Sequence, residues 1–212
     1  MKITHLAPSD YTRSPWKNGG GVTIDITDER LPGSVQGSWQ GVVWRLGRTT
    51  IKASAPFSDL SGFDRCQVVI AGSGLVLDTP AGEIDLRQPF IPVHYAGEAP
   101  ISSRLENGPV EVVNLIADRT LAAIRLDVLR PSATIDLPDD TCVIYAPASA
   151  AVLRLGTQHH ALEADHAIKL ERSPYRAETA DAADGTDGMM HCDVGVLLVA
   201  SIRLRQSGPS PS

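Results

Sequence analysis

Short stretches of alternating apolar and polar residues, each closed off by glycine or proline, recur along almost the whole chain, and this rhythm restricts it to few folds. In residues 22–27, Val22, Ile24 and Ile26 take one face while Thr23, Asp25 and Thr27 take the other, the pattern of a half-buried strand. Comparable runs follow at residues 41–46, 67–70, 75–78, 91–95, 110–116, 141–145, 151–155 and 194–204. Two stretches, 118–129 and 163–171, carry weak helical signals that compete with strand. In the first, Ile124, Leu126 and Val128 alternate with Arg125, Asp127 and Leu129, which fits a strand opening a second run of β structure. Many short strands with regular turns predict an all-β sandwich or barrel. The 18 glycines and 15 prolines provide the turns, and Gly72-Ser73-Gly74 between two apolar runs predicts a tight hairpin. No helix follows this Gly-x-Gly, so it is not a phosphate loop.

The chain has 212 residues, 42% of them hydrophobic, enough for one large β core or two fused smaller ones. Its net charge of -6 comes without a run of Lys or Arg, which argues against a nucleic-acid partner and against an anionic membrane surface. Residues 1–5 lack the apolar stretch of a signal peptide, and the longest apolar run, 194–201, is too short to span a bilayer, so the expected location is the cytoplasm. Cys66, Cys142 and Cys192 are odd in number and never in a C-x-x-C pair, and are expected as buried free thiols. Residues 177–188, without a large apolar side chain, predict an exposed loop.

The most unusual local sequence is Pro15-Trp16-Lys17-Asn18-Gly19-Gly20-Gly21-Val22-Thr23, where three glycines lead into an alternating strand. Glycine is entropically expensive to order, so a triplet marks either a bulged edge strand or a backbone that something else approaches closely. Further along stand Trp44-Arg45, Pro56-Phe57-Ser58, Asp64-Arg65, Tyr95-Ala96-Gly97 and residues 108–114, ending in Asn114.

In this order and spacing, these segments resemble the HutD/Ves family, bacterial proteins associated with histidine utilisation. The resemblance covers residues 1 to about 118, and the family pattern has Asp where Glu111 stands. It implies a double-stranded β-helix, the cupin or RmlC-like jelly roll, in two fused lobes (a bicupin): residues 1–118, residues 119–206 and a tail at 207–212. Catalytic cupins hold a metal with closely spaced histidines and a carboxylate. Here His5 and His94 are the only histidines before residue 119, and of His159, His160 and His166 the first two are adjacent and point to opposite faces of a strand. The expectation is therefore no metal and no cofactor.

What remains is a pocket of arginine, tryptophan and small polar side chains. Arg45 and Arg65 would hold a carboxylate through paired charge-assisted bonds, Trp16 and Trp44 would offer flat walls, and Asn18, Thr23 and Ser58 would complete the lining. With Gly20, Asp64, His94 and Asn114 these make up the candidate ligand-binding set. Each has a structural alternative: Asp64 pairs with Arg65 to tie down a loop, and Trp44 is plain core. Alternation also separates Trp44 from Arg45, so both cannot line one cavity without a bulge, and Arg65 is the favoured arginine. The functional expectation is a non-metal small-carboxylate binder or sensor, by resemblance for a urocanate- or formylglutamate-like compound in histidine utilisation. The alternatives are a metal-free enzyme on an imidazole- or sugar-like substrate, with His94 or Glu111 as proton carrier, and a metal-dependent cupin enzyme. Exposed edge strands are compatible with a homodimer.

Overall fold

Where β-branched and aromatic residues recur at every second position, extended backbone buries one pleated face while neighbouring strands satisfy its N–H and C=O groups. The computed structural model describes residues 1–15, 22–35, 37–137, 140–172 and 189–205. In chain order the strands are β1 (Lys2–Leu6), β2 (Thr12–Pro15), β3 (Val22–Arg30), β4 (Val42–Ile51), β5 (Ala55–Pro56), β6 (Phe63–Ala71), β7 (Leu75–Thr79), β8 (Gly82–Leu86), β9 (Val93–Ala96) and β10 (Ser102–Leu105). They continue as β11 (Val110–Asp118), β12 (Ala122–Leu129), β13 (Thr134–Asp136), β14 (Thr141–Ala146), β15 (Ala151–Leu155), β16 (Gln158–Leu162), β17 (His166–Glu171), β18 (Met189–Val194) and β19 (Leu197–Leu204). A single 3-10 turn, Pro8–Asp10, is the one helical element among the described residues, so 118–129 and 163–171 resolve in favour of strand. The loop expected at 177–188, the tail 207–212, and Trp16, Asn18 and Gly20 lie outside the described residues.

The described residues divide into two compact units, Tyr11–Leu126 with Leu204 and Arg205, and Met1–Asp10 with Asp127–Arg203. In the first, a six-stranded antiparallel sheet ordered β2-β3-β4-β11-β6-β9 and a four-stranded sheet ordered β5-β10-β7-β8 enclose a core of Ile51, Val69, Leu75, Leu77, Leu86, Ile101, Val110 and Val112. In the second, sheets ordered β1-β17-β14-β19-β12 and β13-β18-β15-β16 enclose Ile144, Leu153, Leu155, Ile168, Met190 and Val199, among others. Two facing antiparallel sheets per unit make the chain all-β and cupin-like.

Three local expectations resolve differently. A cut after Asp118 is not where the units part. Asp118 makes a tight turn, its carboxylate accepting from the Thr120 N–H at 2.8 Å and its carbonyl from Leu121 at 3.0 Å, and the chain changes unit inside β12. Residues 1–10 join the later unit because β1 pairs with β17, from Lys2 opposite Glu171 to Leu6 opposite Ala167. Residues 194–204 are two strands and not one: the chain turns at Gly195 (φ 81°), leaving β18 and β19 in different sheets. Gly72-Ser73-Gly74 is likewise a corner and not a hairpin, since β6 lies in the six-stranded sheet and β7 in the four-stranded one. Gly72 has φ 77°, and a Cβ there would stand 2.5 Å from the Pro109 carbonyl oxygen, so only glycine makes this corner without displacing backbone.

Candidate functional site

The six-stranded sheet has one face turned to the four-stranded sheet, and pairing register decides which side chains lie on it. Arg45 opposes Ile116, Ile116 opposes Arg65, and Arg65 opposes Tyr95, so these four share a face across β4, β11, β6 and β9. Two residues along, Gly47, Asn114, Gln67 and Val93 form a parallel row on the same side. Ile51, Val69, Val110 and Val112 continue this face as the apolar core. The inner face is thus apolar at one end and carries two arginines, two amides and a phenol at the other.

A bulge in β3 adds a carboxylate. The pairing of β3 with β4 shifts between Asp25 and Thr27, leaving Asp25 and Ile26 both buried although they are adjacent. Strict alternation at 22–27 therefore fails at Ile26, because one extra residue on β3 faces a single residue of β4. Asp25, opposite Gly47, accepts from the Arg45 guanidinium and from the Ser14 hydroxyl at 2.9 Å. Gly47 makes room for this: a Cβ there would sit 3.1 Å from the Asp25 Oδ1. The Arg45 guanidinium carbon also lies 5.2 Å from the centre of the Trp39 ring, which meets Phe63 edge-on at 5.5 Å. Arg45 is a neutralised cation.

Arg65 is not. It is 9% exposed, and its guanidinium carbon stands 5.0 Å from the ring centre of Phe57 and 5.3 Å from that of Tyr95. Its Nε is buried without a hydrogen-bond partner, and among the described residues no carboxylate pairs with it. A buried guanidinium with aromatic partners and no counter-ion is costly, and an arriving anion would remove that cost. On the same face, Asn114 Oδ1 is buried without a partner, whereas Gln67 Oε1 accepts from the Tyr95 hydroxyl at 2.7 Å.

Burial pushes the Tyr95 hydroxyl up to about 12, with Arg65 opposing the rise. The unfolded chain releases this proton near pH 10, and the native state holds it longer, so the stability it contributes is present below pH 10 and falls as the pH rises towards 12. A Tyr95→Phe variant is expected to lose stability less steeply across that window in chemical denaturation. Equal slopes in variant and parent would place the alkaline transition elsewhere.

The remaining candidates scatter. Trp44 lies on the opposite face, fully buried, with its indole N–H donating to Glu29 at 2.8 Å; it is core, and Trp39 is the tryptophan at Arg45. Asp64 is also on that opposite face and is held by Arg119 at 3.1 Å, not by Arg65. Ser58 is exposed beyond β5, and its neighbour Phe57 is the motif residue that reaches Arg65. Thr23 sits at the far end of β3 from Asp28, the residue paired with Arg45. His94 opposes Cys66, away from the arginine face, and lines a surface depression of about 250 Å³ with Pro92, Arg125 and Leu126. Glu111 accepts from Arg48 at 2.5 Å, again away from Arg65. As proton carriers for a substrate held at Arg65, His94 and Glu111 are on the wrong side of the sheet.

Apart from Asp25, whose carboxylate Arg45 already engages, the inner face offers Arg, Gln, Asn and Tyr and no histidine, so its donor set does not fit a metal ion. Among the described residues no three His, Cys, Asp or Glu side chains are placed to hold one. In the later unit His159 meets Asp193 at 3.4 Å and His166 Nδ1 meets the Ala164 carbonyl at 3.1 Å, and among the described residues His159, His160 and His166 do not form a three-ligand group.

The HutD family model matches residues 8–187. The chain belongs to the HutD family. A relative from Pseudomonas putida, a 21.2 kDa protein in the hutC 3′ region, is 31% identical over 154 residues, covering 73% of this chain and 74% of its own. The structure of HutD from Pseudomonas fluorescens SBW25, in a formate condition, superposes with a TM-score of 0.73 at 25% identity, covering 97% of this chain and all (100%) of that one. A conserved protein of unknown function from Pseudomonas aeruginosa PAO1 gives 0.75 at 23% identity, covering 95% and 99% of the two chains, and bears on the fold alone. No helix among the described residues of this HutD-family chain is long and apolar enough to cross a membrane.

Proposed function

We propose that this HutD-family protein binds a small carboxylate through Arg65 and serves in the cytoplasm as a sensor or buffer for an acid of histidine utilisation. The observation that carries the reading is the Arg65 guanidinium, 9% exposed, flanked by two rings and without a carboxylate partner among the described residues. The paired N–H groups of a guanidinium match the two oxygens of a carboxylate, and a low-dielectric site strengthens each bond. The unpartnered Asn114 Oδ1 on the same face supports a ligand that also carries a hydrogen-bond donor. Membership of the HutD family and the hutC 3′ region relative support a histidine-breakdown intermediate, urocanate- or formylglutamate-like, as that acid. The net charge of -6 favours a small solute over nucleic acid as the partner.

A ligand that binds only the native state stabilises it by mass action. Thermal melts with urocanate, N-formylglutamate, formate and acetate, each at millimolar concentration, are expected to show a concentration-dependent rise in Tm for at least one of the first two. Melts that stay flat with all four acids would overturn the reading.

A further inference from the structure

The unit formed by Met1–Asp10 and Asp127–Arg203 has its own side-chain cluster, unconnected with Arg65. β1 is an edge strand of the five-stranded sheet and β16 an edge strand of the four-stranded sheet. His5 on β1 opposes Ile168, and His160 on β16 opposes Leu153, both members of this unit's core, so the two imidazoles approach from the inner faces of two different sheets. Their ring centres are 6.1 Å apart and their planes inclined by 40°. His160 Nε2 is buried without a hydrogen-bond partner.

We infer that His5 and His160 form a two-imidazole site for one divalent ion of the zinc, nickel or copper class, which ties β1 to β16. Imidazole nitrogen is the ligand these ions favour among the donors present. A metal–nitrogen bond of about 2.0–2.1 Å puts two imidazole centres on one ion at about 5 Å for a tetrahedral angle and about 6.4 Å when opposed. The observed 6.1 Å falls in that range, so the ion requires only side-chain adjustment. The orphaned nitrogen gains a partner it lacks. Burial, then the neighbouring His5 and His159, hold the His160 imidazole below its ordinary pKa and so keep it uncharged near neutral pH, as a ligand must be. His5 also lines a depression of about 180 Å³ with Glu163 and His166, so its imidazole is open to an arriving ion. Two protein ligands make this an exchangeable site that fastens a seam.

The test uses the full chain without an affinity tag, stripped with chelator, and Cu²⁺ followed by electron paramagnetic resonance, with Tm measured in Zn²⁺ and in Ni²⁺. One equivalent of Cu²⁺ with the signature of two imidazole nitrogens is expected, together with a rise in Tm that chelator reverses. His5→Gln and His160→Gln each lose both effects. His159→Gln, whose residue pairs with Asp193 on the other face of β16, keeps them. Metal-free melts confirm that the variants fold, and exposed His5 provides the mutation least able to disturb packing. Unchanged copper binding in both His5→Gln and His160→Gln, or its loss in His159→Gln alone, would overturn the inference. Carboxylate binding at Arg65 is unaffected either way, so the two proposals fail separately.

Discussion

Replacement of Arg65 by methionine is expected to abolish carboxylate binding while leaving the fold nearly as stable as before. Arg65 is buried between Phe57 and Tyr95 with its Nε unsatisfied, so the native state already bears the cost of a desolvated cation. Apolar replacement of a buried charge is often neutral or stabilising, and the methionine thioether recovers about 0.3–1.5 kcal/mol of ring contact against the cation–ring attraction that is lost. Binding has no such compensation. Removing one partner of a buried, hydrogen-bonded charge pair costs about 2–5 kcal/mol, or roughly 30- to several-thousand-fold in affinity. Arg65→Lys, which keeps the charge without the planar fork, should fall between the two. Titration calorimetry with the acid that raises Tm, run beside urea denaturation, separates the effects. An affinity within a few-fold of the parent in Arg65→Met would contradict the assignment, and a collapse in stability would mean that Arg65 is structural.

The second large effect is expected at Asp25, and it runs the other way. Asp25 is 7% exposed and neutralises Arg45 while accepting from Ser14. An alanine there leaves a partly buried guanidinium beside Gly47 and Trp39 with no counter-charge, and breaking a buried pair from one side destabilises by about 3–5 kcal/mol. The urea midpoint should drop accordingly. The Asp25→Ala, Arg45→Met double variant should recover much of the loss, because no charge is then left alone. If the double variant is no more stable than the single one, Arg45 and Asp25 do not act as a pair.

These opposite expectations for two arginines on one face depend on features of unequal legibility. The all-β architecture is readable because short apolar or alternating runs closed by glycine or proline recur, and β4, β6 and β11 declare themselves as such runs, buried on both faces. β8 (GEIDL) and β16 (QHHAL) do not: short and largely exposed, they are strands because β7 and β15 offer them a ladder. The separation of Trp44 from Arg45 follows from alternation alone, since side chains adjacent in a strand cannot share a face. Asp25 as the partner of Arg45 is beyond such reasoning, because it requires a bulge at Ile26, which changes the face of everything after it. Phe57, Tyr95 and Trp39 become neighbours of the arginines only once long-range pairing is known: 30 residues separate Arg65 from the Tyr95 that opposes it in β9 (95 minus 65). The missing signal was cross-strand register, which local sequence does not encode when several apolar strands are interchangeable partners.

The most direct test of the account is a crystal structure of the chain grown or soaked with the acid that raises its Tm. The expected result is a carboxylate with its oxygens about 2.7–2.9 Å from the Arg65 guanidinium nitrogens, within reach of Asn114, and with Arg45 still paired to Asp25. A carboxylate displacing Asp25 from Arg45, or lodged in the depression beside His94 with Arg65 untouched, would contradict it.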